Sequence, residues 1–258
     1  MKLLGKAMLL TAVLGTTSLV LAASTPFAGT WKVNLEKSIL VGDTVKFSSE
    51  GDAMRMTAGG DSYEFKADGS ESKTRFGAAS WKKINDKTWE ETDIVNGHLD
   101  SKTTWTLSGD GKTLTAHATG DKPGGGSFDD TSTYVRTAGT QGLAGTWKNK
   151  EYKGSAPSLL TLSDIEDGLA FDEPDFKLKA SGTFDGKPGN VTGPGIPAGA
   201  SFSLTRIGPH SFKMTRTQNG KPFDMSSWTV SPDGKSLVVV TRTAGTTDPP
   251  TKEVFDKQ

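Results

Sequence analysis

The sequence predicts an all-β protein made of two tandem, small, antiparallel up-and-down barrels behind an N-terminal signal segment. Three observations support this prediction: the chain repeats itself, apolar and polar residues alternate in short segments, and turn-forming residues separate these segments. The chain has 258 residues with 31 glycines and 12 prolines, and only 33% of its residues are hydrophobic. This composition is typical of short strands joined by turns rather than of long helices.

Residues 1–23 have the pattern of a secretory signal peptide. Lys2 and Lys6 precede an apolar run, and Ala22 and Ala23 offer small residues for cleavage. A membrane anchor is the alternative, but the run is shorter than the roughly 20 apolar residues of a membrane span. No cysteine follows the run for lipid attachment. We therefore expect a secreted or periplasmic mature chain without a membrane span.

The rest of the chain contains a tandem duplication. The segment Phe27–Lys32 returns as Leu143–Lys148, with Ala-Gly-Thr-Trp-Lys shared by both. A shift of 123 residues aligns Ser80–Ala118 with Ser203–Thr241 without a gap, and 12 of these 39 positions are identical. The repeat predicts two domains of one fold. Their predicted bounds are 24–138 and 143–258, with residues 139–142 as a flexible linker.

Turn chemistry predicts how each copy folds. Asn96-Gly97 and Asp110-Gly111 lie between alternating segments, and such pairs supply the positive φ angles of tight hairpins. We expect seven to nine sequentially paired strands in each copy, closed into a barrel that leaves no free edge. The glycine- and proline-rich stretch Gly182–Ala200 is expected to form a surface loop, with a lid as the alternative.

Two features of each copy resemble a known superfamily. A Gly-Thr-Trp first strand, at Trp31 and Trp147, and a closing strand with a basic residue, at Arg136 and Lys257, are similar to lipocalins and fatty-acid-binding proteins. Gly-Thr-Trp-Lys-x-Asn followed by Glu-Lys-Ser is similar to secreted bacterial lipocalin-like proteins. The resemblance implies that each tryptophan plugs a barrel base under a basic side chain. It pairs Trp31 with Arg136 and Trp147 with Lys257.

Charge, cysteine and histidine exclude several kinds of site. The chain has 30 basic and 30 acidic residues and no cysteine, which argues against a nucleic-acid partner and against thiolate chemistry. His98, His117 and His210 do not recur between the copies, and none has another histidine at metal-ligand spacing. We therefore expect no metal and no cofactor.

Acidic pairs are the remaining candidates for catalysis. Neighbouring strand residues point to opposite faces, so Glu90 and Glu91 are not expected to form a carboxylate pair. The cluster from Asp164 to Asp167 lacks a full calcium-ligand pattern. A pair of carboxylates in a barrel mouth stays possible, and it leaves a hydrolase or isomerase as the third candidate function.

Aromatic residues and strand arginines are the candidate ligand contacts. Trp105 and Trp228 recur at matched positions and are expected to be core residues, like Trp31 and Trp147. Six other residues are candidates for lining a ligand pocket, with core packing as the alternative for the aromatic ones: Trp81, Trp89, Phe212, Arg75, Arg206 and Arg216.

The first expectation for function is non-catalytic binding of a small apolar or amphipathic molecule in one or both barrels. The second, nearly as well supported, is an envelope or surface protein whose barrels are filled by side chains, because small barrels are commonly packed solid. A measured internal cavity separates the two.

Overall fold

The computed structural model describes residues 25–154 and 159–258, so the predicted signal peptide lies outside the described residues. The described residues form twenty strands and two short 3-10 turns, at Leu35–Lys37 and Pro174–Phe176. The prediction of an all-β protein with two antiparallel barrels is confirmed.

The strands of the first copy are β1 (Gly29–Val33), β2 (Thr44–Glu50), β3 (Ala53–Ala58), β4 (Asp61–Phe65), β5 (Asp68–Lys73), β6 (Ala78–Asn85), β7 (Thr88–Val95), β8 (His98–Leu107), β9 (Thr113–Asp121) and β10 (Ser127–Ala138). Those of the second copy are β11 (Gly145–Lys153), β12 (Leu159–Ile165), β13 (Gly168–Glu173), β14 (Leu178–Thr183), β15 (Asp185–Thr192), β16 (Ala200–Gly208), β17 (Ser211–Gln218), β18 (Lys221–Val230), β19 (Ser236–Thr243) and β20 (Thr251–Lys257).

The predicted hairpin turns are confirmed at matched positions. Asn96 and Gly97 have φ angles of 52° and 78°, and Asn219 and Gly220 have 51° and 75°. Two successive positive φ angles match the twist of the flanking strands, which is why this tight turn selects Asn-Gly. Each copy contributes ten strands rather than seven to nine.

The additional strands have weak sequence signals. Residues of β15 were expected to be loop, but Lys179, Ala180 and Ser181 of β14 pair with residues of β15. Gly186, Pro188 and Gly189 interrupt any alternation in β15. The strand therefore forms because barrel closure places partners on both of its sides.

The two barrels exchange their first strands. Strands β2 to β11 form a ten-stranded, barrel-like sheet that we call barrel 1, and β1 together with β12 to β20 forms the closed barrel 2. In barrel 1 the end strands β4 and β5 are not paired with each other, so the expected closure without a free edge holds for barrel 2 alone. Strand β1 pairs with β12 and β20, whereas β11 pairs with β10 and β2. This differs from the expectation that each barrel is one continuous copy.

Residues 139–142 accordingly connect two paired strands of barrel 1 and do not tether one barrel to the other. Strand β11 folds back on β10 through this short connection and occupies the position beside β2, so β1 pairs in the other barrel. The chain passes between barrels after β1, through Asn34–Asp43, and again after β11.

Strand exchange also changes the pairing of tryptophans with basic residues at the barrel bases. Arg136 lies 4.0 Å from the ring centre of Trp147, and Lys257 lies 5.0 Å from that of Trp31. The predicted pairing of Trp31 with Arg136 and of Trp147 with Lys257 is therefore wrong. The residue types are those the resemblance implies, but each tryptophan arrives on the strand of the other copy.

Aromatic and aliphatic side chains fill both interiors. In barrel 1 the buried core includes Phe47, Phe65, Trp81, Trp105 and Trp147. In barrel 2 it includes the following side chains: Phe27, Trp31, Phe171, Phe202, Leu204, Phe212 and Leu237. The predicted core residue Trp105 is 4% exposed, and Trp228 is half-buried and stacks on Phe212 with 5.4 Å between ring centres.

The barrels meet at the ends opposite their tryptophan bases. The buried Lys122, after β9, forms a 3.0 Å ion pair with Asp175 of barrel 2. The backbone N–H of Gly124 donates to the carbonyl of Asp175 at 2.8 Å, and a Cβ at Gly124 would lie 1.9 Å from the carbonyl oxygen of Pro174. Glycine is required here by this close approach.

Candidate binding site

Alternation along two neighbouring strands places polar side chains inside barrel 1. On β7 the buried residues are Trp89 and Glu91, and Asp93 continues the same face. Directly opposite on β8 lie Trp105, Thr103 and Ser101, respectively. The interior is therefore aromatic toward the tryptophan base and acidic toward the opposite end, where the barrels meet.

A hydrogen-bonded chain of aromatic side chains holds the Glu91 carboxylate. The Tyr63 hydroxyl donates to Oε1 at 2.8 Å, and the Trp105 indole N–H donates to Oε2 at 2.8 Å. Trp81 in turn donates its indole N–H to the Tyr63 oxygen at 2.9 Å. Each carboxylate oxygen thus has one donor and retains the capacity to accept another.

Burial dominates the electrostatics of this group. Burial, followed by repulsion from the neighbouring Asp93 carboxylate, raises the pKa of Glu91 to about 7. Burial also raises the pKa of Asp93, against the hydrogen bond that the Ser101 hydroxyl donates at 2.9 Å. Across residues 25–154 and 159–258, no lysine or arginine forms an ion pair with Glu91 or Asp93.

Small side chains border the acidic residues on β8 and β9. Thr103 faces Ala118 across these strands, next to Glu91. At the matched positions of barrel 2 stand Ser226 and Thr241. Thr103 and Glu91 are buried, whereas Ala118 is partly exposed.

An unpaired acceptor lies on the inward face of the same barrel. Asn149 on β11 is 3% exposed, and its Oδ1 has no hydrogen-bond partner among the described residues. Its side chain hydrogen-bonds Tyr134, whose ring centre lies 5.9 Å from that of Trp105. Burying an unpaired carbonyl costs free energy, about 1–3 kcal/mol, unless a donor is supplied. Asn149 Oδ1 is therefore one buried acceptor of barrel 1 without a donor among the described residues.

The corresponding part of barrel 2 carries its own counter-charge. Nε of Arg216 donates to both carboxylate oxygens of Asp224 at 2.9 Å, and Asp224 is 5% exposed. Burial raises the pKa values of Glu173 and Glu253, and the Arg216 charge opposes both shifts. Arg216 is thus surrounded by acidic groups. A ligand carboxylate would have to compete with them.

The six candidate contacts do not form one site. Trp81, Trp89 and Phe212 are buried in the barrel cores. Arg206 lies 4.2 Å from the ring centre of Phe184, on the side of barrel 2 that holds Phe27. Arg75 lies 5.7 Å from the ring centre of Phe223, so it contacts barrel 2 from barrel 1.

Sequence reasoning missed Glu91, although a signal for it was present. As neighbours on one strand, Glu90 and Glu91 point to opposite faces and so do not form a catalytic pair of carboxylates. If Trp89 faces the core, alternation places Glu91 on the same inward face, and Asp93 follows it. What the sequence does not contain is the convergence of Tyr63 from β4 on this carboxylate.

The histidines lie at exposed positions. Nε2 of His117 lies 2.7 Å from Oδ1 of Asp129. His98 begins β8, and His210 is in the turn before β17. In the part of the chain that the structure describes, no three His, Asp or Glu side chains converge as metal ligands would.

Comparisons with known proteins give no assignment. No family model matches the chain, and no curated protein matches it. Within residues 25–154 and 159–258, no helix has the length and apolar character needed to span a membrane.

Proposed function

We propose that the protein is a secreted or periplasmic, lipocalin-like binding protein that acts without catalysis and holds a small amphipathic molecule in barrel 1. The observation that carries this proposal is the Glu91 carboxylate, which is buried among aromatic side chains and accepts hydrogen bonds from Tyr63 and Trp105. A polar anchor inside an apolar wall is what orients an amphipathic ligand. The signal-like residues 1–23 and the repeated Gly-Thr-Trp strands support the localisation and the family.

Titration of the mature chain with eight-carbon probes, followed by tryptophan emission, tests the proposal. The probes are 1-octanol, n-octylammonium and octanoate, which differ only in the polar end. Because Trp105 contacts the Glu91 carboxylate, we expect a saturable change in emission that Trp105→Phe removes. The matched variant Trp228→Phe in barrel 2 retains the change. The absence of saturable binding for all three probes contradicts the proposal.

A second candidate function is an envelope or surface protein with solid barrels. The observation that favours it is the complete burial of Trp31, Trp81 and Trp147, which fill barrel space with side chains. Under this alternative the outer strand faces contact a partner, and none of the three probes binds.

A further inference from the structure

We infer that the site in barrel 1 recognises a cation: the ligand carries a primary or secondary ammonium group that binds between Glu91 and Asp93. This inference rests on the proposed function and specifies the chemical class of its ligand. Four features of the described residues support it.

The first feature is uncompensated charge. Glu91 and Asp93 lie on one inward face of β7, and none of the described lysines and arginines is paired with them. Buried carboxylates in proteins are normally paired, because an isolated ion loses its hydration without compensation. An ammonium group supplies the missing charge.

The second feature is hydrogen-bonding capacity. Each oxygen of Glu91 accepts one hydrogen bond and retains the capacity to accept another. An ammonium group has two or three N–H donors and no acceptor, so it can use this capacity. A carboxylate ligand would add acceptors and negative charge.

The third feature is the aromatic wall. The ring centres of Trp81 and Trp105 are 5.9 Å apart, and Phe65 stacks on Trp81 at 4.4 Å. These rings are buried together with Glu91. An ion pair formed beside them is screened less by solvent than one at the surface, so burial strengthens the attraction between the carboxylate and a cation.

The fourth feature is the matched part of barrel 2. A shift of 123 residues takes Glu91, Asp93 and Ser101 to Met214, Arg216 and Asp224. Barrel 2 therefore contains a fixed guanidinium–carboxylate pair, whereas barrel 1 has a carboxylate and a hydroxyl. The cation that the chain provides in barrel 2 must come from a ligand in barrel 1.

Calorimetric titration of the mature chain at about pH 8, above the pKa of about 7 of Glu91, tests the inference with the same three probes. We expect n-octylammonium to bind about tenfold or more tightly than 1-octanol, and octanoate to bind most weakly. Glu91→Gln removes this preference. The double variant Asp93→Arg/Ser101→Asp, which copies the barrel 2 pair, also removes it. Glu253→Gln, which makes the same change at a carboxylate of barrel 2, is the control and retains the preference for n-octylammonium.

The outcomes separate the two proposals. Equal binding of n-octylammonium and 1-octanol, or an unchanged preference in Glu91→Gln, overturns the cationic ligand but leaves barrel binding intact. Absence of binding by all three probes contradicts the proposed function itself. Circular dichroism of each variant establishes that it is folded. If Glu91→Gln does not fold, the double variant, which leaves Glu91 in place, decides the question.

Discussion

Asp93 and Ser101 face each other in barrel 1, and Arg216 and Asp224 face each other at the matched positions of barrel 2. Both pairs lie toward the ends opposite the tryptophan bases. The backbone register is the same, but one pair is an acid and a hydroxyl and the other is an ion pair. At the bases, by contrast, both barrels keep a tryptophan under a basic side chain. Duplication has therefore preserved the part that closes each barrel and changed the part that determines charge.

The largest expected effect concerns which barrel each base tryptophan stabilises. Trp31→Ala should lower the free energy of unfolding by about 4 kcal/mol, since it leaves a large cavity. Because Trp31 lies in barrel 2, hydrogen exchange followed by mass spectrometry should show faster exchange in β12–β20. Trp147→Ala is the matched control and should affect β2–β10. Loss of protection in β2–β10 of Trp31→Ala would mean that the first strands are not exchanged.

The contact between the barrels should give the next largest effect. Lys122→Met breaks the ion pair between the buried Lys122 and Asp175. We expect a loss of about 2–3 kcal/mol in urea denaturation. Lys66→Met, at an exposed pair with Asp52, serves as control and should cost much less. Equal costs would contradict the burial of Lys122.

The acidic interior of barrel 1 predicts a dependence of stability on pH. The pKa of Glu91 is raised to about 7 by burial and by Asp93, from an ordinary value of 4.5. The folded state therefore holds this proton where the unfolded state has released it, and the contribution of Glu91 to stability falls as the pH rises from about 4.5 to 7.

Relative to Glu91→Gln, the wild-type free energy of unfolding should decrease by roughly 2 kcal/mol over that interval, measured by urea denaturation at several pH values. Met214→Gln, at the matched position of barrel 2, should leave the pH dependence of the wild type unchanged. A constant difference between wild type and Glu91→Gln would show that Glu91 titrates normally.

The smallest expected effect compares the two bases. Arg136 donates to the carbonyls of Gly111, Gly142 and Ala144 at 2.6–2.7 Å, in addition to its contact with Trp147. Lysine cannot form this fork of hydrogen bonds. Lys257→Arg should therefore stabilise barrel 2 by about 1 kcal/mol in thermal denaturation, and Arg136→Lys should destabilise barrel 1 by a similar amount. If Lys257→Arg destabilised barrel 2 as Arg136→Lys destabilises barrel 1, the two bases would not be equivalent.

Much of the fold could be predicted from local sequence. The predicted Asn96-Gly97 turn ends β7 directly, because this pair supplies two successive positive φ angles. Strand β5 at Asp68–Lys73 has no such signal, since it contains no apolar residue to show an inward face. For the candidate site, alternation from Trp89 places Glu91 inside. The Tyr63 hydroxyl that donates to Glu91 comes from β4, a distant strand whose position depends on the tertiary structure.

By itself, the sequence determined the all-β class, the duplication and the turns, because alternation and positive φ angles are properties of a few neighbouring residues. The resemblance to lipocalins also implied that a tryptophan and a basic residue would lie at each barrel base. Only the tertiary structure decided which copy provides each strand. The two Gly-Thr-Trp strands are nearly identical, so either can pair with either barrel. The short connection between β10 and β11 selects the exchanged arrangement. The tertiary structure also places the Glu91 carboxylate, which has no ion-pair partner among the described residues, next to the aromatic donors Tyr63 and Trp105. No local pattern specifies this contact between distant residues.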